Sequence, residues 1–95
     1  MNNDSQSFSD KILVEKVLSG NTQAFAIIVK QTERLVAQIV RKMITNEEDQ
    51  KDLVQEIYLK VYQRINTFRF QSKLSTWIGS IAYHTSINYL EKKKI

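Results

Sequence analysis

The stretch that decides the fold is residues 49–68, which read DQKDLVQEIYLKVYQRINTF. Its apolar residues recur at intervals of three and four, the spacing of one face of an α-helix. They cover about half of the helix circumference, which is more than one neighbouring helix buries. With Asn46 as its N-cap, this pattern predicts a core helix over residues 47–65, packed by two neighbours. The residues of the stripe are Leu53, Val54, Ile57, Tyr58, Val61, Tyr62 and Ile65.

Two further helices are predicted before this stretch. Ser9 is suited to cap a helix over residues 10–19. Gly20 is suited to end that helix, because glycine adopts the left-handed conformation at little cost. Asn21 then caps a second helix over residues 22–44, whose apolar residues again follow the helical period.

After this stretch the helical period is lost in NTFRFQSKL and returns in a fourth helix over residues 75–92, which Ser72 or Ser75 can cap. The chain of 95 residues has two Gly and no Pro, which favours long helices over a sheet rich in turns. We therefore predict an all-α fold, a compact bundle of about four helices over residues 9–95. A disordered polar tail is expected over residues 1–8.

The net charge changes sign along the chain. Residues 1–59 contain seven Lys and Arg against nine Asp and Glu, whereas residues 60–95 contain seven against one. An acidic part followed by a basic part indicates two surfaces with different partners, and the basic one suits a polyanion such as nucleic acid. A solvated surface with chance asymmetry explains the same numbers.

The residue content argues against several classes of function. The chain has no Cys and one His, so neither a zinc site nor a set of catalytic residues is expected, and no cofactor or enzymatic activity is predicted. The first residues lack the apolar core of a signal peptide, and no apolar run approaches the ~20 residues of a membrane span. A cytoplasmic protein is expected.

One side of the predicted core helix points away from the stripe and is acidic. At about 100° per residue, an apolar Leu lies there among carboxylates and amides. An apolar residue with a polar rim is typical of a protein interface, although single exposed Leu residues are also common. The residues on this side are Glu48, Asp52, Gln55, Glu56, Gln63 and, among them, Leu59.

The loop and the fourth helix form a second unusual surface. Aromatic rings, cations and hydrogen-bonding side chains follow one another in a short segment, the mixture that binds single-stranded bases. Phe68 and Trp77 have an alternative interpretation as core anchors that fix the loop, and Trp77 can serve both roles. The candidate nucleic-acid contacts are Phe68, Arg69, Phe70, Gln71, Ser72, Lys73, Thr76, Trp77, Ser80, Tyr83 and His84.

Three blocks of the sequence resemble the extracytoplasmic-function (ECF) sigma factors of bacterial RNA polymerase. Residues 49–68 are similar to the acidic core helix of that family, with the pattern D-x-x-D-L-V-Q-E-hydrophobic-aromatic-x-K. Residues 19–31, SGNTQAFAIIVKQ, resemble its G-D/N-x-x-A-F opening. Residues 68–90, FRFQSKLSTWIGSIAYHTSINYL, resemble its F-x-x-x-S-x-F-x-T-W-L-x-x-I-A block. The three blocks keep the family order and spacing over residues 10–93.

The resemblance implies the second conserved region of such a factor and a partner for each surface. The acidic side of the core helix would dock on the coiled coil of the polymerase β′ clamp through Asp52, Gln55, Glu56 and Leu59, with Asp49 at the margin. The loop and fourth helix would bind the non-template strand of the −10 promoter element as it melts, in transcription initiation. An anti-sigma factor would cover the same surfaces.

The chain departs from the family at several positions. His84 stands where Asn is common, Asn88 where Asp is usual, and Leu74 where Phe is frequent; the loop also lacks the common Gly. These differences bear on the promoter sequence. A complete member also carries a C-terminal helix-turn-helix domain that reads the −35 element, and we expect none here, since Ile95 ends the chain. The alternative function is a helical protein-interaction module that uses the Leu59 side and does not bind DNA.

Overall fold

The computed structural model describes the backbone of residues 3–93 and the side chains of residues 9–93. Within this part, four α-helices follow one another, and a short 3₁₀ helix, Ile65–Thr67, extends the third. The predicted all-α fold is therefore confirmed. The four helices are α1 (Asn3–Leu18), α2 (Thr22–Met43), α3 (Glu47–Arg64) and α4 (Leu74–Lys93).

The turn between α1 and α2 forms as the local sequence predicts. Gly20 has a positive φ of 97°, which glycine adopts without a steric penalty. The backbone N–H groups of Gly20 and Asn21 donate to the carbonyls of Val17 and Lys16, at 3.0 and 2.9 Å. The Asn21 side chain then accepts from the N–H of Ala24 at 3.0 Å. Only three residues separate the end of one helix from the start of the next, and these hydrogen bonds fix the angle between the helices.

The start of α1 differs from the prediction. The helix begins at Asn3 rather than near residue 10, so Ser9 is an exposed residue inside it and not its cap. Residues 3–8, predicted to be a disordered tail, are helical, while residues 1 and 2 lie outside the described part. No Gly or Pro interrupts this segment, so the helix is not forced to stop at the first capping residue.

The core lies where the apolar stripe of α3 meets the other helices. Helix α2 packs against α1, α3 and α4, and it is the central element of the bundle. Five stripe residues of α3 and its extension are buried, whereas Val54 is half-buried. Tyr62, predicted in the core, is 50% exposed; its ring packs edge-on against Phe25 at 5.1 Å. A Tyr at the stripe margin keeps its hydroxyl in water while its ring packs. The buried five are Leu53, Ile57, Tyr58, Val61 and Ile65.

A buried hydrogen bond joins α2 to α3. The Thr32 hydroxyl donates to the carbonyl of Ile28 at 2.8 Å, so it accepts from the Tyr58 hydroxyl at 2.7 Å. Burial raises the pKa of Tyr58 above its ordinary value. The pair satisfies two polar groups that would otherwise be buried without partners.

The N-terminus of α4 is capped from a distant part of the chain. The N–H of Leu74 donates to Oδ2 of Asp10, 64 residues earlier, at 2.9 Å. The predicted caps are wrong: the Ser72 hydroxyl donates to the Lys73 carbonyl at 3.2 Å, and Ser75 lies inside the helix. A cap supplied by another helix leaves no local sequence signal.

In residues 3–93, no helix has both the length and the apolar character required to cross a membrane.

Candidate functional site

The acidic face of α3, defined as Asp49, Asp52, Gln55, Glu56 and Leu59, is brought together on consecutive turns of one helix. Asn46 caps this helix by accepting from the N–H of Asp49 at 3.0 Å, so the first turn is well defined. Leu59 is 56% exposed, and Asp52, Gln55 and Glu56 around it are also exposed. An exposed apolar centre with an acidic and amide rim suits contact with a protein of complementary charge.

Two lysines border the acidic face. Lys60 pairs with Glu56 at 3.3 Å, and its ammonium also donates to the Thr85 hydroxyl at 3.3 Å. Lys93 lies 3.8 Å from the Asp49 carboxylate. Because α4 runs antiparallel to α3, its C-terminal lysines return to the N-terminal turn of α3. The charge pattern at the two helix ends was a usable signal for this pair.

Tyr89 lies between the two charges at this end of the bundle. The pKa of the Tyr89 phenol is raised, mainly by its interaction with the Asp49 carboxylate and to a smaller extent by burial. The Lys93 ammonium lies 5.4 Å from the centre of the Tyr89 ring, and contact with this tyrosine raises the pKa of Lys93. The phenol and the ammonium thus both keep their protons at neutral pH. Asp49 is half-buried by this cluster, so it belongs to the margin of the acidic face.

The loop segment, residues 68–73, joins the 3₁₀ helix to α4 and is held by its first residue. Phe68 is only 7% exposed, which agrees with its interpretation as a core anchor. Its ring lies 4.6 Å from that of Phe70 and 5.2 Å from that of Trp77. Phe68 therefore supports the two rings that are more accessible.

Phe70 is the most unusual residue of the loop segment. Its φ is +59°, a conformation that costs a residue with a Cβ roughly 1–2 kcal/mol, and its ring is 44% exposed. Strained backbone of this kind persists where surrounding structure fixes it, and such residues concentrate at binding sites. Exposed Arg69 and Lys73 lie on either side in sequence. An accessible ring between two cations is suited to a base and its phosphates.

The outer face of α4, defined as Thr76, Trp77, Ser80, Tyr83 and His84, continues this surface along the helix. Trp77 is half-buried and the other four are exposed. The His84 Nδ1 lies 2.9 Å from the Ser80 carbonyl. Because a carbonyl oxygen can only accept, Nδ1 is the donor in this contact. The Tyr83 ring packs edge-on against that of His84 at 5.5 Å.

Two residues of α1 lie next to the loop segment, and the sequence interpretation missed both. A cavity of about 230 Å³ is lined by Asp10, Lys11, Phe70 and Ser72. Lys11 is exposed and adds a third cation near the loop, whereas Asp10 is buried. Nothing in the local pattern of α1 indicates this proximity.

Among the residues that the structure describes, no three His, Cys, Asp or Glu side chains come together in a way that could hold a metal ion.

Comparisons with known proteins agree on one family. The family model for Sigma-70 region 2 matches residues 28–95. The ECF RNA polymerase sigma-E factor of Escherichia coli K12 is 36% identical over 86 residues, which cover 90% of this chain and 44% of that protein. The corresponding factor of Haemophilus influenzae is 35% identical over 85 residues, with the same shares covered. This chain therefore spans less than half the length of these relatives.

A solved structure extends the likeness to three dimensions. An engineered region 2 of sigmaE, determined by NMR in complex with GTAAAA, superposes on this fold with a TM-score of 0.79. The match has 36% sequence identity and covers 88% of this chain and 87% of the other. The chain belongs to the Sigma-70 region 2 family, and its relatives are ECF sigma factors.

Proposed function

We propose that this domain binds core RNA polymerase and melts the −10 promoter element by binding its exposed non-template strand. The acidic face docks on the coiled coil of the polymerase β′ clamp. The loop segment and the outer face of α4 bind the DNA. The domain acts in the cytoplasm during transcription initiation, and it does this by binding alone, without catalysing a reaction.

The observation that carries the proposal is the exposed ring of Phe70, held on strained backbone between Arg69 and Lys73. The structural relative that superposes with a TM-score of 0.79 is a region 2 bound to GTAAAA. We expect a DNA strand of similar sequence, bound at this surface, to place a base near the cavity of about 230 Å³ beside Phe70. The neighbouring cations would contact the phosphates of the same strand.

Opening of the promoter in this way needs no source of free energy other than binding. Extruding a base from a duplex costs a few kcal/mol, and least where pairing is weak. Stacking on an aromatic side chain returns ~1–3 kcal/mol per base. One base beside Phe70 and a second on the outer face of α4 would offset the cost of opening. The domain thus favours the open form of the promoter because it binds only that form.

The acidic face supports the second half of the proposal. Leu59, exposed over 56% of its surface, is available as an anchor, and Asp52 and Gln55 flank it on neighbouring turns. Docking through this helix leaves the loop segment accessible to DNA. An anti-sigma factor that covers Leu59 would block the binding of polymerase and so inhibit the domain.

Fluorescence anisotropy with labelled oligonucleotides tests the DNA half. We expect single-stranded GTAAAA to bind at least about tenfold more tightly than a scrambled strand of the same composition or than its duplex. The affinity should fall between about 50 and about 200 mM salt, because binding of phosphates by cations releases counterions. The double variant Arg69→Ala, Lys73→Ala should bind both strands more weakly. Its log–log salt slope should be shallower by ~0.7 for each phosphate that is no longer neutralised.

The competing function, a protein-interaction module without DNA binding, gives different results in the same experiments. It requires no measurable binding of any strand, together with retention of purified core polymerase or another protein on the Leu59 side. Equal affinity for GTAAAA and the scrambled strand would support general nucleic-acid binding and contradict recognition of the −10 element.

A further inference from the structure

Asp10 is a buried acidic residue that neither of the two surfaces uses. It lies in α1 and is 3% exposed. Its Oδ2 accepts the N–H of Leu74, the first residue of α4, at 2.9 Å in a buried position. A carboxylate at a helix N-terminus satisfies an unpaired amide and interacts favourably with the helix dipole. Asp10 thus ties the N-terminal helix to the last helix.

The first turn of α4 depends on this distant cap. The Trp77 N–H donates to the Lys73 carbonyl at 3.1 Å, so the amides of the three preceding helical residues have no helical acceptor. The hydroxyl that most closely precedes the helix, that of Ser72, is directed to the Lys73 carbonyl. Asp10 supplies the acceptor that the local sequence does not.

Asp10 also lies beside the loop segment on two sides. It lines the cavity of about 230 Å³ together with Phe70 and Ser72. It lines a second cavity, of about 360 Å³, together with Lys73 and Leu74. The loop segment is therefore fixed at one end by the buried ring of Phe68 and at the other end by the bond to Asp10. The positive φ of Phe70 lies between these two anchors.

We propose that Asp10 is a positioning residue for DNA binding, which holds the loop segment in its binding geometry through the first turn of α4. The inference rests on the proposed function. If the anchor is removed, the strained conformation of Phe70 is no longer fixed at both ends and relaxes. The ring and Lys73 then have to be ordered by the DNA itself, which lowers the affinity.

The test compares two cap deletions on different helices. Asp10→Ala removes the cap of α4, and Asn46→Ala removes the cap of α3, where Asn46 accepts from the Asp49 N–H at 3.0 Å. Both variants lose stability of the size typical for a cap. At a temperature at which both are folded, we expect Asp10→Ala to bind single-stranded GTAAAA about tenfold more weakly and Asn46→Ala to stay within about twofold. Equal losses in the two variants would show a merely structural role and overturn the proposal.

Two local measurements report on the loop independently of DNA. Amide exchange at Leu74 should accelerate at least about tenfold in Asp10→Ala, since its acceptor is gone. The emission of Trp77, the one tryptophan of the chain, should shift in Asp10→Ala and not in Asn46→Ala, because its ring packs on Phe68 at 5.2 Å. Fast exchange at Leu74 with unchanged DNA affinity would separate the cap from the loop and overturn the proposal.

Asp10→Asn keeps an oxygen acceptor and decides the case if Asp10→Ala does not fold. We expect it to protect the Leu74 amide and to bind GTAAAA within about threefold of the parent protein. If Asp10→Asn keeps the Leu74 amide protected but binds GTAAAA tenfold more weakly, positioning through this bond is contradicted. If the variant loses both the protection and the affinity, the proposal is supported. Failure of the parent protein to bind GTAAAA would reject the proposed function. In that case the exchange and emission data still decide whether Asp10 orders the loop.

Discussion

The acidic face of α3 and the loop segment each present one exposed apolar side chain, but they are held in place differently. Leu59 lies on a regular helix that starts with its own cap, Asn46. Phe70 lies on a left-handed residue in a loop whose ends are fixed by Phe68 and by the bond from Asp10 to Leu74. The first surface depends on neighbouring residues, and the second depends on contacts between distant parts of the chain.

This difference predicts how each surface responds to change. A helix face retains its geometry when one exposed side chain is replaced, so substitutions there act on the partner directly. A strained loop depends on its supports, so buried changes far away in sequence can alter it. The two surfaces should therefore be separable by mutation, each with its own class of variants.

The largest effect is expected from charge reversal on the acidic face. Asp52→Lys should lower the affinity for purified core RNA polymerase about a hundredfold, since a like charge placed in a complementary interface costs several kcal/mol. Binding of GTAAAA should stay within about twofold, because Asp52 is on the helix and not in the loop segment. Both affinities are measured by titration of the labelled domain.

Glu15→Lys is the matched control, with the same change of charge at an exposed position of α1 outside both surfaces. It should leave polymerase binding within about threefold, since an exposed charge distant from an interface acts mainly on association rate. If Glu15→Lys and Asp52→Lys weaken the binding of polymerase equally, the binding depends on the net charge of the domain and not on docking through the acidic face.

A smaller effect is expected at Phe70, where binding and stability should respond differently. Phe70→Gly and Phe70→Ala both remove the ring and should both weaken GTAAAA binding about tenfold, the value of one stacked base. The Gly variant should be more stable than the Ala variant by about 1 kcal/mol, because Ala keeps the strain at a φ of +59°. Urea denaturation measures the difference.

The two Phe70 variants test the strain of the loop and the role of the ring separately. Equal stability of the Gly and Ala variants would show that the loop rearranges to relieve the strain once the ring is gone. Unchanged affinity in both would remove Phe70 from the DNA-binding surface. Either result would weaken the contrast between a locally determined surface and one held from a distance.

Much of the fold could be predicted because its signals are local. The end of α1 at Gly20 and the caps Asn21 and Asn46 follow from residue types that act within four positions. The buried stripe of α3 follows from the helical period. The start of α1 was wrong, because a capping residue such as Ser9 starts a helix only when nothing before it continues the helix.

The candidate site was predictable in composition but not in geometry. The mixture of rings and cations in residues 68–73 indicated a nucleic-acid surface, and the acidic rim of Leu59 indicated a protein surface. The distant partner Asp10 could not be inferred, since its bond to Leu74 joins residues 64 positions apart and leaves no local signal. Without that bond, the strain at Phe70 was not apparent.

The smallest effect on binding is expected from the core beneath both surfaces, at Tyr58. Tyr58→Phe removes the hydrogen bond to Thr32 and should lower the free energy of unfolding by about 1 kcal/mol at pH 7, with both affinities unchanged. Burial holds the pKa of Tyr58 above its ordinary value of 10.0, so the unfolded chain loses this proton first as the pH rises. The contribution of Tyr58 is therefore complete below pH 10.0 and declines above it, and the stability difference between the two proteins should narrow in alkaline urea titrations. A loss of GTAAAA affinity in this variant would mean that general stability, rather than the two anchors of the loop segment, controls the DNA-binding surface.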